Sequence, residues 1–249
     1  MKKICFVTTV YMTYKCFLKQ LSQYLYETGE YDISLICNNE DEVLKDMPIF
    51  VHYHPVDMKR GVSLSALGAI KKIGKILKKE KFDIVQYSTP NAAFYTSIAA
   101  RRKKVPVRLY CQWGIRYMGF EGWKRSLFKY LEKKTCDNST FIEVESHNIR
   151  NFSLEEKLYT ADRSCVIWNG SASGVDLNKF DISKKKYWRE KIREILALSE
   201  NDIVFAFAGR LTADKGVNEL LAAFLNIEKK HTCVKLSLIH ISEPTRLDV

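Results

Sequence analysis

The chain has 249 residues, with 40 Lys and Arg against 29 Asp and Glu, for a formal net charge of +11. Its apolar share of 46% is ordinary for a globular protein, and no run of it is long and apolar enough to read as a membrane-spanning helix. Seven cysteines, at 5, 16, 37, 111, 136, 165 and 233, are scattered without a Cys-x-x-Cys pair, which excludes a disulfide framework or a zinc site and predicts a reducing, cytosolic compartment.

The start, Met1-Lys2-Lys3 followed by Ile4-Cys5-Phe6-Val7-Thr8-Thr9, is too short and lacks the cleavage site of a signal peptide, so it reads as a buried first strand. From there, strands are expected at residues 3–9, 32–37, 50–54, 82–88, 105–112, 140–145, 165–168 and 203–208. Helical patterns fall between them, at 13–27, 64–79, 91–101, 122–136, 146–157, 183–198 and 217–229. Several strands are continuous apolar runs, the pattern of a parallel sheet covered on both faces. Strands alternating with helices of this length predict a doubly wound α/β fold.

The run Asn169-Gly170-Ser171-Ala172-Ser173-Gly174 is too small and polar to pack a core. It sets a boundary near Trp168, with a first domain over 1–168 and a second begun at 169–235. The remainder is too short to bury both faces of a doubly wound sheet, so the second domain is expected to be incomplete and the chain alone poorly active or inactive. Residues 236–246, Leu-Ser-Leu-Ile-His-Ile-Ser-Glu-Pro-Thr-Arg, resemble the translation of a sequencing-library adapter, which sets 236–249 apart as a non-native tail. The alternative is a native strand over 234–241.

The strongest chemical signal is Phe205-Ala206-Phe207-Ala208-Gly209-Arg210-Leu211-Thr212-Ala213-Asp214-Lys215-Gly216. Gly209 ends an apolar strand where a missing side chain lets a ligand approach the backbone. Arg210 stands at the carboxyl end of that strand, and Lys215 just before a helix whose amino end carries positive potential. A fork-shaped cation, a point charge and a helix dipole together suit a diphosphate, although two surface charges around a turn give the same pattern.

Gly209-Arg210 with Asp214-Lys215-Gly216 resembles the donor-phosphate motif of family-four retaining glycosyltransferases, and Asn169-Gly170 through Gly174-Val175-Asp176 to Phe180 resembles that family's interdomain segment. The resemblance, to the capsular-polysaccharide and lipid-linked-oligosaccharide branch, implies a GT-B fold: a Rossmann-like acceptor-side domain followed by a second, donor-binding one. It implies a nucleotide-diphosphate-sugar co-substrate held by Gly209, Arg210, Lys215 and Gly216, a glycan or lipid-diphosphate-linked acceptor, and no metal cofactor; the chain has no Asp-x-Asp. The family's usual His before Gly114 is Trp113 here, so the resemblance supplies no catalytic residue. Tyr11, Gln112, Trp113, Gly114, Arg116, Asn169 and Gly170 are the cleft candidates: an aromatic face for sugar C–H groups and a guanidinium for a phosphate on the acceptor.

The charge is focused. Residues 59–81 carry eight Lys and Arg against Glu80 alone, and Arg101-Arg102-Lys103-Lys104 follows. Within this run, Leu64, Leu67, Ile70, Ile73 and Leu77 form an apolar stripe, with Lys71, Lys72, Lys75, Lys78 and Lys79 around it. Such a helix either packs on the core with a solvated lysine face or lies on an anionic membrane surface, making the protein peripheral there. A basic nucleic-acid-binding module is a rival reading, but no aromatics interleave with the basic runs, so nucleic acid is not an expected partner. A non-catalytic sugar-nucleotide binder is another. His52 and His54 share a strand face without further matching ligands and read as structural.

Overall fold

The structure, a computed structural model, describes residues 1–58 and 65–240. Leu64, Lys59 and Arg60 of the basic run, and 241–249 of the expected tail lie outside the described residues. The chain divides into two compact units, Met1–Gly174 and Val175–Val249. The division thus falls at the end of the small polar run and not at Trp168. Gly170 is the reason: its N–H donates to Ile167 and the Ser171 N–H donates to Glu145, tying the start of the run to the first unit.

In the first unit, β1 (Lys2–Val7), α1 (Tyr11–Phe17), α2 (Lys19–Glu27), β2 (Tyr31–Cys37), α3 (Asp41–Asp46), β3 (Val51–Pro55) and α4 (Ala66–Glu80) come first. Then follow β4 (Ile84–Tyr87), α5 (Pro90–Arg102), β5 (Val107–Gln112), α6 (Gly122–Asn138), β6 (Phe141–Val144), α7 (His147–Glu155) and β7 (Ser164–Cys165). The strands form one parallel sheet ordered β3-β2-β1-β4-β5-β6-β7. This is the doubly wound, Rossmann-like topology the alternating pattern predicts, and its order reverses between β1 and β4.

The period of two along β1 builds two cores. Ile4 and Phe6 join Tyr14, Leu18, Ile33, Leu35 and Val43 on the face covered by α1, α2 and α3. Cys5 and Val7 join Ile73, Leu77, Val85, Tyr110 and Ile142 on the opposite face, under α4 to α7. Full burial of each such aliphatic side chain contributes roughly 1.5–3 kcal/mol.

Two local departures from the expected elements have physical causes. The helix expected over 13–27 is two, because Leu18 leaves helical geometry at φ −121°, ψ −18°; its N–H still donates to Tyr14 and its carbonyl still accepts from Ser22, so the apolar periodicity runs through the kink. Helix α3, not expected, is a short helix of six residues whose Asp41 and Glu42 at the amino end and Lys45 at the other suit the helix dipole. In α4, Ile70, Ile73 and Leu77 pack into the core, but Leu67 is 72% exposed because Ala66 and Ala69 occupy the stripe at that end. All five lysines, Lys71, Lys72, Lys75, Lys78 and Lys79, face solvent. His52 Nε2 lies 3.1 Å from Asp32 Oδ1, and His54 packs edge-on against Phe82.

The second unit contains α8 (Lys185–Ile195), β8 (Ile203–Gly209), α9 (Val217–Glu228) and β9 (Val234–His240). Strands β8 and β9 pair in parallel from Ile203↔Val234 to Gly209↔His240. Strand β9 includes residues set apart as tail after Lys235; Val234, Leu236, Leu238 and Ile239 have the apolar character that pairing needs, whatever their origin.

Candidate functional site

Open α/β sheets bind ligands beyond the carboxyl ends of their strands, where the strand order reverses. In the first unit that point is a pair of threonines. Thr9, after β1, donates its N–H to Thr89 Oγ1 at 3.1 Å, and the two hydroxyl oxygens lie 2.9 Å apart. Thr89, after β4, has φ +22°, an uncommon value for a β-branched residue and one of the local strains that gather at functional sites. Pro90 then starts α5, its fixed φ and missing N–H suiting the first helical position.

Beside these residues lies a cavity of about 460 Å³, lined among others by Thr89, Trp113, Gly114, Arg116 and Glu145. Trp113 packs on Phe17 with ring centroids 5.2 Å apart, and its Nε1 turns toward the Glu143 carboxyl without an aligned hydrogen bond. Gly114, at φ +119°, makes the turn that leads from β5 to Arg116. The Arg116 guanidinium is exposed and sits 4.5 Å from the centroid of Phe128, a cation–π contact that holds it at the rim. Glu145, half-buried at the end of β6, has its carboxyl raised above the usual range by desolvation. The trio offers an aromatic face, a cation and a carboxylate.

Gly170 shapes this region from behind. At φ +91° it takes a conformation side chains rarely adopt, and a Cβ there would meet the Glu145 carbonyl oxygen at 2.2 Å. A second cavity, of about 540 Å³, shares Phe17, Cys111, Trp113 and Ala172 with the first and runs along the sheet past Gln86 and Glu143. Gly170 lines this second cavity.

Three expected cleft residues are elsewhere. Gln112 is fully buried on the opposite face of β5, because neighbouring strand residues point to opposite faces and Trp113 takes the cleft side. Its Nε2 donates to Glu132 Oε1 at 2.7 Å, while its Oε1 accepts from Tyr159 at 2.8 Å and Ser153 at 3.2 Å. Tyr110 donates to the same Glu132 oxygen at 2.9 Å, and desolvation raises that carboxyl. Tyr11 is likewise buried, stacked on Tyr14 at 5.7 Å, since its side chain begins α1 on the core face. Asn169 is exposed and lines neither cavity.

Sequence reasoning missed Glu145, the Thr9–Thr89 pair and Phe17. For Glu145 a signal existed, since it is the last residue of the strand expected over 140–145 and so stands at the ligand end of the sheet.

In the second unit, the donor-side candidates fall on one strand–turn–helix connection. Arg210 follows β8, and Gly209 is its last residue. Lys215 closes the turn Ala213–Lys215, and Gly216, at φ +73°, enters α9. Arg210 and Lys215 are both exposed, and the Leu211 N–H donates to His240 Nδ1 at 3.3 Å. This arrangement puts two cations and an uncapped helix amino end at the carboxyl end of β8, the chemistry of an anion-binding turn.

Fold and site thus define an α/β protein with a sheet-end ligand cavity in one unit and a basic turn in the other. The glycosyl transferase 4-like family matches residues 3–146, and the chain belongs to that family. It is 30% identical over 187 residues to the capsular polysaccharide biosynthesis glycosyltransferase CapM of Staphylococcus aureus, covering 75% of this chain and 48% of CapM. It is 28% identical over 193 residues to the UDP-Gal:alpha-D-GlcNAc-diphosphoundecaprenol alpha-1,3-galactosyltransferase of Escherichia coli, covering 75% of this chain and 47% of that enzyme. The chain therefore spans about half the length of these curated relatives. Among solved structures it resembles HepE of Anabaena in complex with UDP and glucose, with a TM-score of 0.65 and 15% identity over 96% of this chain and 61% of that one. At that identity the likeness carries the GT-B-type fold alone. No helix among the described residues is long and apolar enough to cross a membrane.

Proposed function

We propose that this protein moves a sugar from a nucleotide-diphosphate donor to a glycan or lipid-diphosphate-linked acceptor, with retention at the anomeric carbon and without a metal cofactor. The reaction serves capsule or cell-envelope polysaccharide synthesis, on the cytoplasmic side of a membrane. Family membership carries the reaction class; one relative is named for capsule synthesis and the other for a diphosphoundecaprenol acceptor. The single structural observation behind the donor half is the basic turn, Arg210 and Lys215 at the carboxyl end of β8 and the amino end of α9.

In this reading the acceptor hydroxyl oxygen bonds to the anomeric carbon as the bond from that carbon to the diphosphate breaks. The electron pair leaves on the phosphate oxygen, the hydroxyl proton departs with the diphosphate, and Arg210 and Lys215 stabilise the charge that develops. The first-unit cavity holds the acceptor, with Trp113 against sugar C–H groups and Arg116 on its phosphate. The exposed lysines of α4 support electrostatic docking on anionic lipid near that acceptor.

Calorimetric titration with UDP-galactose and UDP-glucose tests the donor half. Arg210→Ala and Lys215→Ala are each expected to weaken binding about tenfold or more, the loss of a charge-assisted hydrogen bond. Unchanged binding in both variants overturns the assignment.

A further inference from the structure

We propose that the Glu145 carboxylate is the group that receives a hydroxyl of the acceptor sugar in the sheet-end cavity, a role that rests on the reading of this cavity as the acceptor site. Glu145 is the one carboxylate lining it among the described residues, and Arg116 lines it too. The backbone of Glu145 is held on both sides: its N–H donates to the Gln112 carbonyl at 3.4 Å, and its carbonyl accepts from Ser171 at 2.7 Å. Gly170 closes on the same carbonyl in a way no larger residue permits. The backbone that carries this side chain is therefore held from both sides.

Comparison with three other part-buried carboxylates of the unit, Glu132, Glu156 and Glu143, separates Glu145 from them. Glu132 accepts from Tyr110 and Gln112. Glu156 pairs with Lys129 at 2.5 Å and accepts from Tyr117 at 3.3 Å. Glu143 is served by the Cys111 thiol. The Glu145 carboxyl makes no hydrogen bond or ion pair among the described residues, and desolvation is the cause acting on it. A half-buried carboxylate with no protein partner leaves its acceptor lone pairs to donors that enter the cavity, water or a ligand hydroxyl. Sugar hydroxyls are donors, and Trp113 in the same cavity offers the face against which a pyranose packs. Arg116 has no acceptor capacity, so it cannot take this part and is left for a phosphate.

Calorimetry on the 249-residue chain tests this, with short-chain alkyl diphosphate esters of N-acetylglucosamine, glucose and galactose and the singly deoxygenated analogues of the tightest binder. Glu145→Gln is expected to weaken that binder about tenfold. One deoxy analogue should weaken to the same degree with the native chain and lose nothing more with E145Q, whereas R116A weakens every analogue alike. If E145Q binds the whole series as the native chain does while R116A loses it, the Glu145 role falls and the acceptor cavity stands. If the native chain binds none of the esters, the acceptor reading falls and Glu145 with it. Should E145Q unfold at a lower temperature, the deoxy series on the native chain decides: equal affinity for all of them overturns the role.

Discussion

The two units use the same local signals and reach different degrees of burial. In the first, β1 and β2 lie between helices on both faces, and Phe6, Ile33, Leu35 and Ile36 are fully buried. In the second, β8 has the same apolar character and is likewise followed by a helix, yet Ile203 is 56% and Phe205 43% exposed, as is Leu225 of α9 at 53%. The sequence of a strand specifies the residues that want to be covered, while the number of neighbouring strands and helices determines whether they are. Among the described residues, seven strands suffice in the first unit and two do not in the second. Apolar patterning is thus evidence for a strand and says little about the stability that strand supplies.

The largest test of that contrast compares equivalent truncations. Leu35→Ala removes a fully buried side chain and is expected to cost about 2–5 kcal/mol, whereas Leu225→Ala is expected to stay within about 1 kcal/mol. Urea unfolding followed separately for each unit measures both; a Leu225 effect as large as that of Leu35 breaks the comparison. Next in size is the polar centre of the first core. Glu132→Ala leaves Tyr110 Oη and Gln112 Nε2 without their shared acceptor, a loss of about 2–4 kcal/mol. Glu132→Gln keeps an acceptor for both donors and removes the ionisation. Because desolvation raises the folded-state carboxyl above its unfolded value, its stabilising contribution is complete below the unfolded carboxylate pKa and fades as pH rises through the folded one. The native chain should therefore lose stability relative to E132Q as pH rises from acid toward neutral, and parallel pH profiles would show that the carboxyl does not titrate in this way.

Much of this was legible because it depends on local pattern. Runs such as Ile4-Cys5-Phe6-Val7 and the period of α4 are set by residues adjacent in sequence, and the doubly wound class follows from their alternation. The site was legible where one strand end determines it: Trp113, Gly114 and Arg116 line the cavity because β5 ends there. Gln112 was misplaced by one step of the pleat, the smallest error in sequence and a complete reversal in space. Tyr11 was misplaced because a loop residue was expected where helix α1 already begins. Glu145 carried its signal in position but not in motif, and its lack of a partner is a property of the folded neighbourhood. Nor does sequence reveal that Gly170 must be glycine for the sake of a carbonyl belonging to Glu145.

The smallest effect sharpens the contrast between core and surface within a single helix. In α4 the stripe Ile70, Ile73 and Leu77 packs inside the first unit, so membrane attraction through this helix rests on its lysines and not on inserted apolar side chains. Replacing Lys71, Lys75 and Lys78 with alanine should leave the unfolding midpoint nearly unchanged, within about 0.5 kcal/mol each. The same replacements should weaken binding to phosphatidylglycerol vesicles by about 1 kcal/mol per lysine. That attraction is Coulombic and disappears at about 1 M salt, where the screening length falls to ~3 Å. Vesicle sedimentation across a salt series reads this directly. Binding that survives high salt, or that ignores the three substitutions, means another surface makes the contact and α4 is a core helix with a solvated face.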